Sequence, residues 1–471
     1  MDAFRIVGGA RLSGRHRVEG SKNAALPLMA AAILADEPVV IRDVPHFVDV
    51  SNMGMLLREL GCRCDHVDGV AHIETIDATA CHARYDIVKT MRASICALGP
   101  LVAKRGHASV SMPGGCALGI RPVDLHLRGL EALGVNFDLQ GGDILATCDR
   151  LIGNTVFLGG PFGSTVLGTA NVMSAATLAQ GRTIIESAAT EPEIVDLARM
   201  LNKMGAQISG AGTPRITIQG VDQLGGVDHQ TMPDRIVAGT FAMAAAMTNG
   251  TVTLENFPYD CLLGVVDHLD RIGVHISNLD TSDDPLRTSV HVCSDRVIKP
   301  LVMTTQPYPG FPTDLQAQLV ALLTQANGNS IVTEKIFPER FNHVAELTRM
   351  GAEIVRQGPT AIIQGPTPLR GAPVMASDLR GSASLVMAGL AAEGETIVSR
   401  VYHLDRGYIA MEKSLNKLGA KIERFNPDQD QATNESPLVT SFPSTMNSPQ
   451  APVPAGQILR QMPDQAFSSD P

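Results

Sequence analysis

The sequence has no tryptophan, aromatic residues make up only 4% of it, and charged residues only 18%, against 44% hydrophobic residues and 44 glycines. That balance describes a soluble globular protein rich in turns, and it excludes collagen, a coiled coil and bulk disorder. No excess of basic charge exists either: 38 Lys and Arg face 48 Asp and Glu, a formal net charge of −10. General attraction to nucleic acid or to an anionic membrane is therefore not expected, and anion binding would need a local basic pocket. Long apolar runs are missing as well. The longest, Ala24 to Ala35, is 12 residues and contains Pro27, short of the roughly 20 that cross a bilayer. The opening Met1-Asp2-Ala3-Phe4-Arg5 lacks the basic and apolar regions of a secretory signal, so none is expected. The 8 cysteines form no C-x-x-C pair, which removes the usual zinc and thioredoxin spacings and points to a reducing, cytoplasmic compartment. No Gly-Lys dipeptide, complete Gly-x-Gly-x-x-Gly or His-Glu-x-x-His occurs. ATP hydrolysis, dinucleotide redox chemistry and zinc hydrolysis lose their best support.

What the chain does have is repetition. A motif of the form Leu/Met-x-x-Leu/Met/Ile-Gly-small recurs with its glycine at Gly61, Gly134, Gly205, Gly273, Gly351 and Gly419. Each closes an amphipathic run where glycine can take the left-handed position past a helix end. Before each stop comes a second helical pattern, rich in small residues: Asn23 to Ala35, Ala93 to Arg105, Thr169 to Gln180, Ile236 to Asn249, Leu315 to Asn327 and Ser382 to Glu393. Most are followed by glycine and a β-branched run such as Thr251-Val252-Thr253-Leu254. Each unit reads helix, strand, loop, helix, strand. Six such α/β units most simply make two lobes of three, divided near Pro233 and Asp234, with a ligand site between them. A chain of 471 residues is long enough for two or three domains at about 150 residues each. From Asn426 to Pro471 the pattern stops, and a Pro, Ser, Gln and Asn composition predicts a disordered tail. Within it only residues 457–460 suit docking, to a partner the sequence does not identify.

Five of the six small-residue helices open on polar or charged groups: Ser21-Lys22-Asn23, Met91-Arg92-Ala93, Pro233-Asp234-Arg235, Pro312-Thr313-Asp314 and Asp378-Leu379-Arg380. Free N–H groups at a helix start, joined by Lys or Arg, make an anion site, and together they favour a phosphorylated ligand. Capping and solvation are the plainer reading of any one position. The segment Pro113 to Asp124 places Cys116 among three glycines and five residues before Arg121, a setting for a tuned acid or nucleophile. Asp314 sits at a helix start, where a carboxylate ordinarily caps. Tyr402-His403-Leu404-Asp405-Arg406 reads as a turn that is either solvated or functional.

Six segments together resemble the UDP-sugar branch of the enolpyruvyl transferase superfamily. They are Gly20 to Pro27, Pro113 to Asp124, Thr190 to Asp196, Phe311 to Gln318, Asp378-Leu379-Arg380 and Tyr402 to Tyr408, in family order across about residues 5 to 425. The resemblance implies an α/β fold, a two-lobed inverse α/β barrel of six βαβαββ-type repeats, three per lobe. Residues 1–21 with 235–425 would form one discontinuous lobe, and 22–234 the lobe carrying the Cys116 loop. It implies transfer of the enolpyruvyl group of phosphoenolpyruvate to the 3′-hydroxyl of UDP-N-acetylglucosamine, both small-molecule partners; no metal or cofactor is expected, since no ligand-spaced His/Cys cluster occurs and Lys and Arg handle the charge, and the tail's partner stays unknown. Cys116 would then donate a proton to C3, Asp314 would accept the hydroxyl proton, and Lys22 and Arg406 would complete the catalytic set. Lys22, Asn23, Arg121, Arg380 and Arg406 would hold phosphoenolpyruvate. The UDP-sugar would meet Arg92, Arg121, Pro122, Val123, Asp124, Leu125, Thr165, Val166, Asp314 and Ile336. The sequence departs from the family at Thr165-Val166-Leu167-Gly168-Thr169, where relatives have glycine in place of Leu167. That keeps a different uridine nucleotide, such as UMP, open as acceptor. A catalytically silent UDP-sugar sensor is the alternative of another class, and retention of Lys22, Cys116, Asp314 and Arg406 argues against it.

Overall fold

The computed structural model describes residues 1–112, 123–161, 163–279, 284, 286–427 and 429. Cys116, Arg121 and Pro122, and nearly all of the tail expected from Asn426 onward, lie outside the described residues.

All six small-residue helices form. Helix Arg235–Met247 is buried at every position, as is Gln316–Leu323, and Leu379–Ala391 is buried at eleven positions. A helix apolar on all sides belongs in an interior, and the alanines and glycines let neighbours approach closely. Residues 93–105 divide into a 3-10 segment Arg92–Ala97 and a helix Leu98–Arg105, and helix Lys22–Ala31 passes into a 3-10 turn Ala32–Leu34. The six helices that the repeated glycines end are amphipathic, and all six stop glycines have positive φ, from +76° at Gly61 to +109° at Gly205. Behind three of them the chain closes the same way, with the N–H of Ala206, Ala352 and Ala420 donating to the carbonyls of Leu201, Leu347 and Leu415 at 3.0 Å. An L-side chain at those glycines would be strained.

Among the described residues the strands form six four-stranded sheets of one common order, besides the short pair Gly159–Gly160 with Gly163–Ser164. In the sheet Val227–Gln230, Val39–Arg42, Val70–Thr75, Cys62–Val67, the first pair is parallel and the other two are antiparallel. Against the two strands of the helix, strand, loop, helix, strand reading, each sheet has four: a parallel edge strand is added, and the strand after the amphipathic helix proves to be a hairpin. Alternating residues such as Arg63, Asp65 and His72 are polar and hid it, because only one face of the hairpin is covered.

The termini of the repeat array decide how the units group. Strands Ala3–Val7 and Ser13–Arg17 complete the sheets of Glu395–Ser399 and Thr251–Phe257. Strand Val227–Gln230 instead returns to pair with Val39–Arg42. Two hydrophobic cores result, one built almost wholly from residues 24–232 and one from residues 4–18 and 236–422. The chain passes between them near 18–21 and near 231–235, where Ser21 N–H donates to Met232 at 2.7 Å and Asp234 N–H to Glu19 at 2.8 Å. No helix among the described residues is long and apolar enough to cross a membrane.

Candidate active site

Ser21 caps helix Lys22–Ala31, accepting from Ala24 N–H at 3.3 Å. Asp234 joins the two chain passages, since Oδ1 caps Ile236 and Val237 while Oδ2 accepts from the Lys22 backbone N–H at 3.2 Å. With its backbone so fixed, buried Lys22 turns its ammonium to Asp49 at 2.7 Å. Arg406, in the 3-10 segment Val401–Arg406 of the second core, reaches the other oxygen of Asp49 at 3.1 Å. Asp49 is only 3% exposed. Burial pulls the Lys22 pKa down; the Asp49 carboxylate opposes it, while Arg380 and Arg406 push the same way as burial. Lys22, Arg380 and Arg406 therefore share one cationic neighbourhood.

Asp314 is not a helix cap; Pro312 holds the cap position. Its Oδ1 accepts from Arg340 Nη1 at 2.7 Å and its Oδ2 from Arg380 Nη2 at 3.1 Å and Nε at 3.3 Å. The two arginine side chains are 5% and 3% exposed, whereas Asp314 keeps 28%. Buried Glu334 orders this corner by accepting from Thr305 and Thr313 hydroxyls at 2.9 Å each and from Ile336 N–H at 2.7 Å. Arg380 lies over the Tyr408 ring at 5.5 Å, and the Tyr408 hydroxyl meets Thr240 at 2.9 Å. The buried Nη1 of Arg380 has no hydrogen-bond partner among the described residues, so one donor stays available to an anion.

The segment 401–406 is not a solvated turn: Leu404 is buried, Arg406 reaches Asp49, and Asp405 pairs with Arg424. Asn23 follows Lys22, half-buried, in the first turn of its helix. Arg92 opens the 3-10 segment and lies near His126, whose pKa falls to about 3 chiefly through burial, with Arg92 adding to it. Val123, exposed Asp124 and Leu125 begin helix Asp124–Glu131. Thr165 caps helix Val166–Ala176, its hydroxyl accepting from Gly168 N–H at 3.2 Å. Leu167 packs against the first core, and a Cβ on Gly168 would lie 2.4 Å from Thr165. The close approach that demands glycine therefore falls one residue later. Burial raises the thiols of Cys96 and Cys261 to about 12, which makes them packing residues.

Sequence reasoning missed Asp49, Glu334 and Arg340 and gave no role to Glu193, which pairs with buried Arg235 across the two cores at 3.0 Å. For Arg340 a signal existed, a cation in the turn Phe337-Pro338-Glu339-Arg340 just before a helix. Among the described residues no group of three or more His, Cys, Asp or Glu is arranged to hold a metal ion.

The profile of EPSP synthase (3-phosphoshikimate 1-carboxyvinyltransferase) matches residues 6–415. The UDP-N-acetylglucosamine 1-carboxyvinyltransferase of Oleidesulfovibrio alaskensis is 49% identical over 424 residues, 90% of this chain and 99% of the relative. The enzyme of the same name from Lawsonia intracellularis is 49% identical over 427 residues, again 90% of this chain and all of the relative. Among solved structures, the enolpyruvyl transferase NikO from Streptomyces tendae superimposes with a TM-score of 0.80 at 25% identity, covering 90% of this chain and 98% of that one.

Proposed function

The chain belongs to the enolpyruvyl transferase family, and from that premise we propose that it transfers the enolpyruvyl group of phosphoenolpyruvate to the 3′-hydroxyl of UDP-N-acetylglucosamine, releasing phosphate. This would be the first committed step of peptidoglycan synthesis, in the cytoplasm. The observation that carries the reading is Asp314, a carboxylate still partly open to solvent while two buried arginines hold it. Such a group is fixed in direction and can still meet an incoming hydroxyl.

In the proposed reaction the 3′-oxygen attacks C2 of phosphoenolpyruvate as its proton passes to Asp314, and C3 takes a proton from Cys116. The tetrahedral intermediate then loses phosphate as C3 gives up a proton. Lys22, Asn23, Arg121, Arg380 and Arg406 hold the phosphate and carboxylate charges of phosphoenolpyruvate. Arg92, Arg121, Pro122, Val123, Asp124, Leu125, Thr165, Val166, Asp314 and Ile336 line the UDP-sugar. No metal or cofactor enters the scheme. We assign residues 22–234 to one lobe and 1–21 with 235–425 to the other, each a ring of three βαβαββ units forming an inverse α/β barrel. The common strand order and the two separate cores support this.

The test is phosphate release from phosphoenolpyruvate with UDP-N-acetylglucosamine, UMP and shikimate 3-phosphate offered in parallel. Turnover with UDP-N-acetylglucosamine, lost in Cys116→Ala and partly kept in Cys116→Asp, is expected. Turnover with UMP or shikimate 3-phosphate alone would reassign the acceptor, and none with any would leave the non-catalytic sensor.

A further inference from the structure

Away from these residues, where the chain passes from one core to the other, lies a cavity of about 540 Å³ lined by Asp196, Arg199, Lys203, His229, Met232 and Arg287 among others. Its carboxylates are engaged. Asp196 accepts from His229 Nε2 at 3.0 Å and from Met232 N–H at 3.1 Å, and Asp284 lies 3.7 Å from Arg287. Arg287 is occupied as well, donating to the Thr231 carbonyl at 2.7 Å and to Asn256 at 3.0 Å. Arg199 and Lys203, one turn apart near the end of helix Pro192–Lys203, are exposed and form no ion pair among the described residues. Lys203 acts electrostatically on Asp228, but the lining holds Arg199, Lys203 and Arg287 against only Asp196 and Asp284, so the cavity keeps a small excess of positive charge.

His229 supplies the second, independent feature. It is 3% exposed, and its Nδ1 is buried without a hydrogen-bond partner among the described residues. Because a carboxylate can only accept, Nε2 carries a ring proton toward Asp196, and Nδ1 is the ring nitrogen left without a partner among the described residues. A buried ring nitrogen left unmatched is unfavourable, and a hydroxyl brought by a ligand, able to donate or accept, would satisfy it.

We propose that this cavity is a second ligand site, for a small phosphomonoester that also carries a hydroxyl: the phosphate on Arg199 and Lys203, the hydroxyl hydrogen-bonded to His229 Nδ1. The site stands on different residues from those assigned to catalysis, so its test is read by binding. Glucose 6-phosphate is titrated calorimetrically into the full chain with phosphoenolpyruvate in excess. Saturable binding is expected to persist, to weaken at least about tenfold in the double variant Arg199→Ala/Lys203→Ala, and to be weaker for ethyl phosphate, which has no hydroxyl. Phosphate release by the double variant should match that of the unmodified chain. Displacement of the probe by phosphoenolpyruvate, equal binding to the double variant, absence of saturation, or ethyl phosphate binding as tightly as glucose 6-phosphate would overturn the proposal.

Discussion

Two carboxylates in this protein are each held between two cations with nearly the same geometry, yet their surroundings separate them. Asp49 lies 2.7 Å from Lys22 and 3.1 Å from Arg406, and Asp314 lies 2.7 Å from Arg340 and 3.1 Å from Arg380. Their side chains differ in exposure, 4% for Asp49 and 28% for Asp314. They differ also in span: Asp314 and both its partners belong to the second-core segment, whereas Asp49 ties an arginine 357 residues away to the helix of the other core. Burial separates them: Asp49 joins elements of the two cores, whereas Asp314 keeps an edge open to solvent.

The largest expected effect is at the open carboxylate. Asp314→Asn keeps the shape and one acceptor but not the base, and turnover should fall roughly 10²–10⁴-fold with little change in KM for phosphoenolpyruvate. Steady-state kinetics within threefold of the parent, on the order of 0.6 kcal/mol, would remove Asp314 from the chemistry. Next is Asp49→Asn, which leaves Lys22 buried beside two arginines without a full counter-charge. Denaturant unfolding should show a loss of about 3–5 kcal/mol, more than for Asp314→Asn. A larger loss at Asp314 would reverse the comparison.

A third carboxylate sharpens the contrast because it is mostly buried without two cations. Glu19, at the chain passage, has its pKa raised to about 7 from 4.5, first by burial and then by Asp234 and Asp43, against a backbone hydrogen bond and Arg17. An acid whose folded pKa lies above its unfolded one carries no penalty below pH 4.5, and stability declines as pH rises through 4.5 to 7. Glu19→Gln should therefore match the parent near pH 4.5 and exceed it at pH 8 by on the order of 2 kcal/mol. Urea unfolding at the two pH values checks this, and a gain at the acid end would contradict it. The smallest effect is at Ser21, whose loss of the cap in Ser21→Ala should cost about 1 kcal/mol, read as a lower Tm with turnover kept. A collapse of activity there would mean that the helix start itself orients Lys22.

Much of the fold was legible because the signals are local. A glycine that must take positive φ after an amphipathic helix has few substitutes, and six of them in phase mark six units. The hairpin strands were harder, since one open face lets alternate positions turn polar. Within the site, Lys22, Asp314, Arg380 and Arg406 stood out as charges at the starts of apolar helices or beside them. Asp49 did not, since a lone Asp in the first turn of an amphipathic helix is what a surface helix would have there anyway. Glu334 was hidden for the same reason, being unremarkable in its own segment, whereas Arg340, a cation in the turn before a helix, left a signal.

The sequence by itself determined the six glycine helix stops, the buried character of the small-residue helices and the set of charged residues at helix starts, because each follows from periodicity, glycine stereochemistry or residue type within a dozen positions. Tertiary structure alone decided which carboxylate meets which cations. Lys22, Asp49 and Arg406 come together only once strands Ala3–Val7 and Ser13–Arg17 have joined the distant sheets and the chain has passed twice between the cores. Charge pairing falls off with distance and strengthens out of water, so its partners are set by packing and not by spacing along the chain.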